Sequence, residues 1–161
     1  AFFISPYIFE RLVHGRMGAM KRLVKSLEEM DLFAEEVLAS LPLEKEATLL
    51  TLKGELGAGK TAFTKAIAKH LGVVEVVNSP TFVVMKSYDL VGRAYKKLIH
   101  IDAYRIEDIS ELKPLKFETL LKDPSNLIVL EWPERISEAL PKDARTIKFT
   151  FVDETTREVE Y

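Results

Sequence analysis

A glycine-rich segment of eight residues constrains the fold of this chain more than any other feature. Residues 54–61 have the sequence G-E-L-G-A-G-K-T, which matches the phosphate-binding pattern G-x-x-x-x-G-K-[ST]. The apolar run 47–52 before it predicts a short strand, and residues 60–71 predict a helix followed by Gly72. Strand, loop and helix therefore follow in the order that such a loop requires, and we expect the chain to bind a nucleoside triphosphate.

The loop is expected to supply both backbone and side-chain groups to the phosphates. Its glycines allow a tight turn in which main-chain N–H groups and the positive end of the following helix face the phosphate oxygens. Lys60 is expected to reach the terminal phosphates, and Thr61 to offer its hydroxyl to Mg²⁺. The predicted ATP-binding residues are Glu55, Leu56, Gly57, Ala58, Gly59, Lys60 and Thr61.

Composition restricts the other functions open to the chain. Its 161 residues suggest one domain, large enough to bury a core without disulfide or metal cross-links. Cysteine is absent, which excludes disulfides, thiolate zinc sites and cysteine nucleophiles. A formal net charge of -2 gives no general reason to expect strong independent binding to nucleic acid, so any connection with RNA is local or passes through a partner. No apolar stretch approaches the roughly 20 residues needed to cross a bilayer, which predicts a soluble protein.

The first 19 residues differ from the rest of the chain. Residues 1–19 are rich in bulky apolar side chains but lack the basic start and unbroken apolar run of a signal peptide. We interpret them as a leader outside the folded domain, either a vector-derived remnant or an unusual extension. Residues 20–161 are assigned to a single phosphate-loop domain.

Alternation and turn signals predict the first half of the remaining elements. A capping box at Ser26 and Glu29, followed by apolar residues at helical spacing, predicts an amphipathic helix facing the core. Residues 82–90 and 95–102 predict two strands, and residues 91–94 between them can reverse the chain. An antiparallel hairpin is therefore expected.

The second half of the domain alternates helical and extended patterns. A short helical pattern surrounds Phe117, and the continuous apolar run 127–130 predicts a strand buried on both faces of an α/β sheet. Pro133 suits the first turn of a helix that extends to about residue 140. Residues 146–152 and 157–161 are expected to form a closing hairpin.

Two predicted strands end in an acidic residue, Asp102 after one apolar run and Glu131 after another. In phosphate-loop enzymes an acid at the carboxyl end of a neighbouring strand orients the metal or the attacking water. Either residue fits this role, and both cannot simply be assigned the same function. A structural alternative for Asp102 is a cap or an ion pair with Arg105. Glu131 would end a buried strand, so its carboxylate needs a partner.

Several other polar residues have both functional and structural interpretations. Thr81 lies on a proline-stiffened loop and can act as a switch residue that senses the terminal phosphate, or it can be an ordinary turn threonine. Arg105 and Arg135 can each place a guanidinium on a transferring phosphate, although an isolated arginine is more often part of a surface ion pair. His100 in an apolar strand is more typical of a hydrogen-bonded core residue than of a catalyst. The chain contains no glutamine, so water cannot be oriented as in Ras.

Four motifs, taken in this order and spacing, closely resemble the TsaE (YjeE) family. They are the loop at 54–61, S-P-T-F at 79–82, H-I-D-A-Y-R at 100–105 and E-W-P-E at 131–134. The phosphate loop alone is shared by many families, whereas the four motifs together are specific. The resemblance covers roughly residues 21–161.

This resemblance implies a fold and a set of roles. The fold would be an α/β P-loop NTPase three-layer sandwich, with a central, largely parallel sheet and antiparallel marginal strands. The implied catalytic residues are Lys60, Thr81, Asp102 and Glu131, and the implied metal-binding residues are Thr61, Glu131 and Asp102. Glu55 occupies a position where the family often has aspartate, in a part of the loop whose backbone matters most.

The resemblance also implies a cytoplasmic, Mg²⁺-dependent ATPase that is slow alone. It would act with TsaB and TsaD in making threonylcarbamoyladenosine beside the tRNA anticodon, resetting or activating their complex and meeting tRNA only indirectly. One alternative is a small-molecule or protein kinase that uses Asp102 as the base. Another is a nucleotide-responsive binding module in which hydrolysis is negligible.

Overall fold

Seven strands form one mixed sheet, which is the framework of the fold. The computed structural model describes residues 20–161, so the interpretation of residues 1–19 as a leader lies outside the described residues. The strands are β1 (Lys21–Val24), β2 (Thr48–Lys53), β3 (Met85–Asp89), β4 (Lys97–Asp102), β5 (Asn126–Glu131), β6 (Arg145–Phe151) and β7 (Arg157–Glu160). The α-helices are α1 (Leu27–Ser40), α2 (Lys60–His70) and α3 (Phe117–Leu121), and 3₁₀ helices cover Ile109–Leu112 and Pro133–Ala139. No helix in the described part of the chain is long and apolar enough to cross a membrane.

The sheet combines a parallel centre with antiparallel margins. Its strand order is β1-β7-β6-β2-β5-β4-β3. Strands β6, β2, β5 and β4 run parallel, whereas β1, β7 and β3 join through antiparallel pairs. Every residue of β5 is buried, as expected for a central parallel strand that is covered on both faces. The α/β fold expected from the resemblance, including its antiparallel margins, is confirmed.

Helical elements cover both faces of the sheet and create two cores. One core contains Phe33 of α1 and Phe63 of α2, whose ring centroids are 5.4 Å apart. The other contains Leu112 and Ile136 from the two 3₁₀ helices and Phe117 from α3. Because β5 supplies alternate apolar side chains to both cores, packing on both faces fixes its position. The carboxyl ends of β2, β5 and β4 consequently meet at one edge of the sheet.

The helix boundaries follow the local sequence signals. The Oγ of Ser26 accepts a hydrogen bond from the Glu29 N–H at 3.1 Å, which caps α1. The carboxylate of Glu29 accepts from the Lys25 N–H at 2.8 Å, one residue before the position expected in a capping box. Helix α2 ends at His70, and Gly72 follows with a φ of +83°. A glycine adopts this left-handed conformation at little cost.

One predicted strand begins later than the sequence suggests. Residues 82–90 were expected to be extended, but β3 begins at Met85 because residues 81–84 form a turn. Val84 within this turn has a φ of +65°, which is unfavourable for a β-branched residue. The antiparallel hairpin of β3 with β4 is confirmed, and so is the closing hairpin of β6 with β7.

One strand was not predicted from the sequence, and one helix differs from its predicted form. Strand β1 is only four residues long, and its antiparallel pairing with β7 at the sheet margin, rather than apolar alternation, makes it a strand. The helix expected from Pro133 to about residue 140 is a 3₁₀ helix over Pro133–Ala139, with non-helical backbone at Ile136. Pro133 still occupies the first turn, where its missing N–H is not needed.

Candidate nucleotide-binding site

The glycine-rich loop connects the carboxyl end of β2 to the amino end of α2. Gly54 and Gly59 have φ values of +151° and +107°, in the region that favours glycine. A Cβ atom on Gly54 would lie 2.6 Å from the carbonyl oxygen of Phe149, so a side chain at this position would collide with the backbone of β6. The first N–H groups of α2 therefore lie at the end of a loop whose conformation requires glycine at Gly54 and Gly59. N–H groups in the first turn of a helix have no partner within the helix and can bind anions.

Lys60 begins α2 and is buried beneath the loop. Its Nζ donates hydrogen bonds to the carbonyl oxygens of Gly54 and, at 2.8 Å, Glu55. The same Nζ lies 4.4 Å from the ring centroid of Trp132, close enough for a cation–π contact. Trp132 leaves β5 with a φ of +58°, and this left-handed turn brings its indole to Lys60. The lysine of the motif is thus held by the loop itself.

Opposing influences act on the charge of Lys60. Burial lowers the pKa of Lys60 below its ordinary value, because an ammonium group loses hydration inside the protein. The carboxylates of Glu131 and Asp102, followed by those of Glu134 and Glu55, raise this pKa but do not fully offset burial. Lys60 is accordingly a partly desolvated cation that faces a group of acids.

The Glu131 carboxylate lies at the end of β5, beside the first turn of α2. Its Oε1 is 3.4 Å from the Thr61 Oγ1, which donates to it. The Nε2 of His100 lies 2.9 Å from the same oxygen, and both His100 and Glu131 are buried. The partner expected for this carboxylate is therefore His100, and His100 is a buried, hydrogen-bonded residue as its apolar strand suggested.

The Asp102 carboxylate lies beside Glu131 in the register of β4 and β5. Its Oδ2 accepts from the Ser79 Oγ at 2.5 Å and from the Thr81 Oγ1 at 2.8 Å, while its Oδ1 accepts from the Tyr104 N–H at 3.0 Å. Asp102 is 2% exposed, so these three donors compensate for lost hydration. The carboxylate thereby fastens the loop between α2 and β3 to the sheet.

The two arginines considered as phosphate ligands contact aromatic rings. The structural alternative of an ion pair between Asp102 and Arg105 is wrong, because the Arg105 guanidinium instead lies 4.6 Å from the ring centroid of Phe82. The Arg135 guanidinium lies 5.8 Å from the ring centroid of Tyr104.

Sequence reasoning missed a third arginine that contacts the loop. Arg157 at the start of β7 donates from Nε and Nη2 to the carbonyl oxygen of Gly57, at 3.2 and 3.0 Å. Its Nη1 donates to the carbonyl oxygens of Asp153 and Thr156. One guanidinium therefore ties the closing hairpin to the phosphate loop. No local signal identifies Arg157, since 100 residues separate it from Gly57.

A cavity of about 420 Å³ adjoins the loop on the side of α1 and the closing hairpin. Its lining includes Ser26, Met30, Gly59, Ala62, Thr155 and Arg157. This volume lies within the range of about 300–1,000 Å³ typical of small-ligand sites. The cavity and the phosphate loop share Gly59.

The Thr61 hydroxyl at the start of α2 and the Glu131 carboxylate at the end of β5 suit Mg²⁺ better than a metal that takes all its ligands from protein. Within residues 20–161, no group of three or more His, Cys, Asp or Glu side chains could hold a metal ion. The Thr61 hydroxyl and the Glu131 carboxylate provide two hard oxygen donors on one side of the loop. Mg²⁺ prefers this arrangement, because it usually keeps waters and phosphate oxygens as its other ligands.

Comparison with known proteins identifies the family of the chain. The family described as "Threonylcarbamoyl adenosine biosynthesis protein TsaE" matches residues 24–159, which is most of the chain. The chain belongs to the TsaE family. It is 38% identical over 117 residues to the tRNA threonylcarbamoyladenosine biosynthesis protein TsaE of Bacillus subtilis, covering 73% of this chain and 70% of the relative. The TsaE protein of Borreliella burgdorferi is 33% identical over 127 residues, covering 79% of this chain and 87% of the relative.

A solved structure shares the fold of this TsaE family member. The crystal structure of YdiB from Bacillus subtilis superposes with a TM-score of 0.67 and 30% sequence identity. The match covers 89% of this chain and 84% of YdiB. The family resemblance inferred from the four motifs is therefore confirmed. It places the chain in a family whose members are named for biosynthesis of a modified tRNA nucleoside.

Proposed function

We propose that this protein is a Mg²⁺-dependent ATPase of the tRNA threonylcarbamoyladenosine machinery, acting with TsaB and TsaD. The observation that supports the chemistry best is the meeting of Lys60, Thr61 and Glu131 around one glycine-built loop. The names of the relatives support the pathway. The protein would reset or activate the complex and meet tRNA indirectly through it.

The phosphates of ATP would bind along residues 55–61. Backbone N–H groups at the start of α2 would meet the phosphate oxygens, and the adjoining cavity has room for the nucleoside. Lys60 would exchange the carbonyl oxygens of Gly54 and Glu55 for the terminal phosphates, where its charge opposes the negative charge of the transition state.

Thr61 and Glu131 are the residues that would hold Mg²⁺, with Asp102 as the other candidate acid. When bound, the ion would neutralise charge on the phosphate oxygens. Glu131 is favoured because its oxygen already lies 3.4 Å from the Thr61 hydroxyl, whereas both oxygens of Asp102 accept hydrogen bonds within the protein. Asp102 would act chiefly through Thr81, which would sense the terminal phosphate as a switch residue.

Hydrolysis by the isolated protein would be slow. The chain has no glutamine to orient the attacking water, and the Thr81 hydroxyl is engaged by Asp102. A partner that repositions the loop bearing Thr81 would complete the site. The kinase alternative is less well supported, since a base must be free to accept a proton and Asp102 already accepts three hydrogen bonds.

The loop bearing Thr81 also exposes apolar side chains that suit a protein partner. Phe82 and Val83 are 86% and 59% exposed, and Val74 and Val76 earlier in the same loop are exposed as well. Exposed apolar groups of this kind commonly mark interaction surfaces. A TsaB–TsaD assembly would bind this face. Because Thr81, the proposed sensor of the terminal phosphate, lies in the same loop, the affinity of this assembly for the protein would depend on the bound nucleotide.

The decisive experiment measures ATP turnover and partner binding together. Phosphate release is measured with the purified protein alone and with TsaB and TsaD added. Binding to TsaB and TsaD is measured by pull-down in ATP, in ADP and without nucleotide. We expect slow release alone, faster release with both partners, and association that differs between ATP and ADP. In parallel, the fluorescence of Trp132 should change with Mg-ATP, because its indole contacts Lys60. A phosphorylated acceptor would instead indicate a kinase. Partner binding identical in ATP, ADP and no nucleotide, with unchanged turnover, would overturn the proposed mechanism.

A further inference from the structure

His100 is a buried polar residue with no role in the mechanism above. It lies in β4 with no exposed surface, and its Nε2 is 2.9 Å from the Oε1 of Glu131. Its other ring nitrogen, Nδ1, is also buried and has no hydrogen-bond partner among the described residues. A fully buried imidazole with one nitrogen paired and the other unpaired is costly, so its single contact calls for an explanation.

The hydrogen bonding defines which nitrogen bears the proton. The Oε1 of Glu131 already accepts from the Thr61 hydroxyl, so we take the Nε2 of His100 that faces the same oxygen as a second donor. A proton on Nδ1 would be a buried donor without an acceptor. We therefore place the ring proton on Nε2, which leaves Nδ1 as an acceptor with no partner among residues 20–161.

Both hydrogen bonds to Glu131 reach the same oxygen. Oε1 accepts from His100 and from Thr61, whereas Oε2 receives none from the residues that the structure describes. His100 approaches from within the sheet, since its β4 position pairs with Val129, two residues before Glu131. The imidazole thus fixes the rotation of the carboxylate and leaves Oε2 available to a ligand.

We propose that His100 is a positioning residue for the metal-binding acid: its Nε2–H orients the Glu131 carboxylate so that Oε2 faces the Mg²⁺ of a bound Mg-ATP. This inference rests on the proposed function, in which Glu131 serves that ion. Outer partners of metal ligands act in this way, because they restrict a ligand to its productive orientation.

Two amide substitutions test the Nε2–H donor of His100 separately from the size of its ring. Glutamine reaches about as far as Nε2 and can present an amide N–H there, so His100→Gln keeps the donor. Asparagine reaches only about as far as Nδ1, where none of the described residues accepts a hydrogen bond, so His100→Asn keeps a polar group but loses the donor to Glu131. Both variants introduce an amide into the same buried position.

The first measurement uses nucleotide-free protein and needs no metal. Nitrogen-15 NMR of the histidine rings, assigned with the His100 variants, should show a protonated Nε2 and an unprotonated Nδ1 at His100. The opposite tautomer would overturn the proposal, because Nε2 could not then donate to Glu131.

The second measurement is the gain in ATP affinity that Mg²⁺ produces, obtained by calorimetry with and without EDTA. We expect His100→Asn to reduce this gain by about tenfold or more, and His100→Gln to retain most of it. ATP affinity in EDTA should be similar in all three proteins.

Equal losses of this gain in both variants would refute positioning and indicate a structural role. If wild type shows no gain from Mg²⁺, the metal assignment itself fails. If thermal denaturation shows that His100→Asn is not folded, the test rests on the His100 tautomer and on the ATP affinity of His100→Gln. Loss of the Mg²⁺-dependent gain in ATP affinity in folded His100→Gln would then refute the proposal.

Discussion

Asp102 and Glu131 end neighbouring parallel strands at the same register, yet their surroundings differ. Both are buried and both follow apolar runs. Glu131 is contacted through one oxygen, by His100 from the sheet and Thr61 from α2. Asp102 is contacted through both oxygens, and two of its donors belong to the loop between α2 and β3.

The difference shows that position alone does not assign a role to an acid in this fold. Glu131 is buried and, among residues 20–161, has an oxygen that accepts no hydrogen bond, which suits a metal ligand. Asp102 has no free oxygen and holds hydroxyl groups of Ser79 and Thr81, which suits control of a loop. The surroundings of Glu131 are built by strand register and burial. Those of Asp102 are built by hydrogen bonds for which a ligand can compete.

Removing Lys60 should produce the largest effect, because this cation faces both acids. Lys60→Ala is expected to reduce ATP hydrolysis by at least about 100-fold, since the terminal phosphates lose their positive partner. The fold should survive, as circular dichroism would show. The matched control is Lys65→Ala, an exposed lysine on the same helix, which should keep wild-type turnover. Wild-type turnover in folded Lys60→Ala protein would remove this loop as the ATP site.

Isosteric amides test the contrast between the two acids directly. Glu131→Gln should raise the Mg²⁺ concentration needed for half-maximal ATP affinity by at least about tenfold, because the carboxylate proposed as the metal ligand is lost. Asp102→Asn should change this concentration little and should instead lower the free energy of unfolding by about 1–3 kcal/mol, because an amide nitrogen cannot accept from the hydroxyls. Metal titrations and urea denaturation measure the two effects. A reversed pattern, with Asp102→Asn raising the Mg²⁺ requirement, would exchange the roles.

A smaller change tests the loop contact alone. Ser79→Ala removes one of the two hydroxyls on the Asp102 carboxylate and is expected to cost about 1.5 kcal/mol of unfolding free energy. The ratio of ATP to ADP affinity should also shift, because Thr81 is then held less firmly. Ser87→Ala, an exposed serine in β3, serves as the control and should leave both quantities unchanged. Equal behaviour of the two variants would mean that Asp102 does not fasten the loop.

The smallest expected effect concerns pH. Burial lowers the pKa of Lys60 below 10.5, so at alkaline pH just below 10.5 the unfolded chain binds more protons than the folded one. The Lys60 contribution to stability should therefore rise with pH there, by at most about 1.4 kcal/mol per pH unit.

Comparing urea denaturation of wild type and Lys60→Met across this range isolates the contribution of Lys60. Because Glu131 raises the pKa of Lys60 more than Asp102 does, Glu131→Gln should start the rise at lower pH than Asp102→Asn. A difference between wild type and Lys60→Met that does not vary with pH would show that Lys60 is not desolvated.

The elements that could be predicted from the sequence are those whose signals are local. The spacing of glycines and Lys60 in residues 54–61 predicted the phosphate loop, and the continuous apolar run before Glu131 predicted a central buried strand. Both signals lie within one stretch of chain, because a tight turn and burial on two faces each restrict consecutive residues. The Pro133 helix was located correctly, although its 3₁₀ form was not predicted.

Which side chains contact one another could be seen only in the tertiary structure. The side-chain donors to Asp102 are a serine and a threonine more than 20 residues earlier in the chain, and the buried partner of Glu131 is His100, 31 residues away. Arg157 reaches Gly57 across 100 residues, and β1 is a strand because β7 lies beside it. Such contacts depend on strand order and register, which bring distant segments together. A residue's own neighbours in sequence therefore do not reveal them.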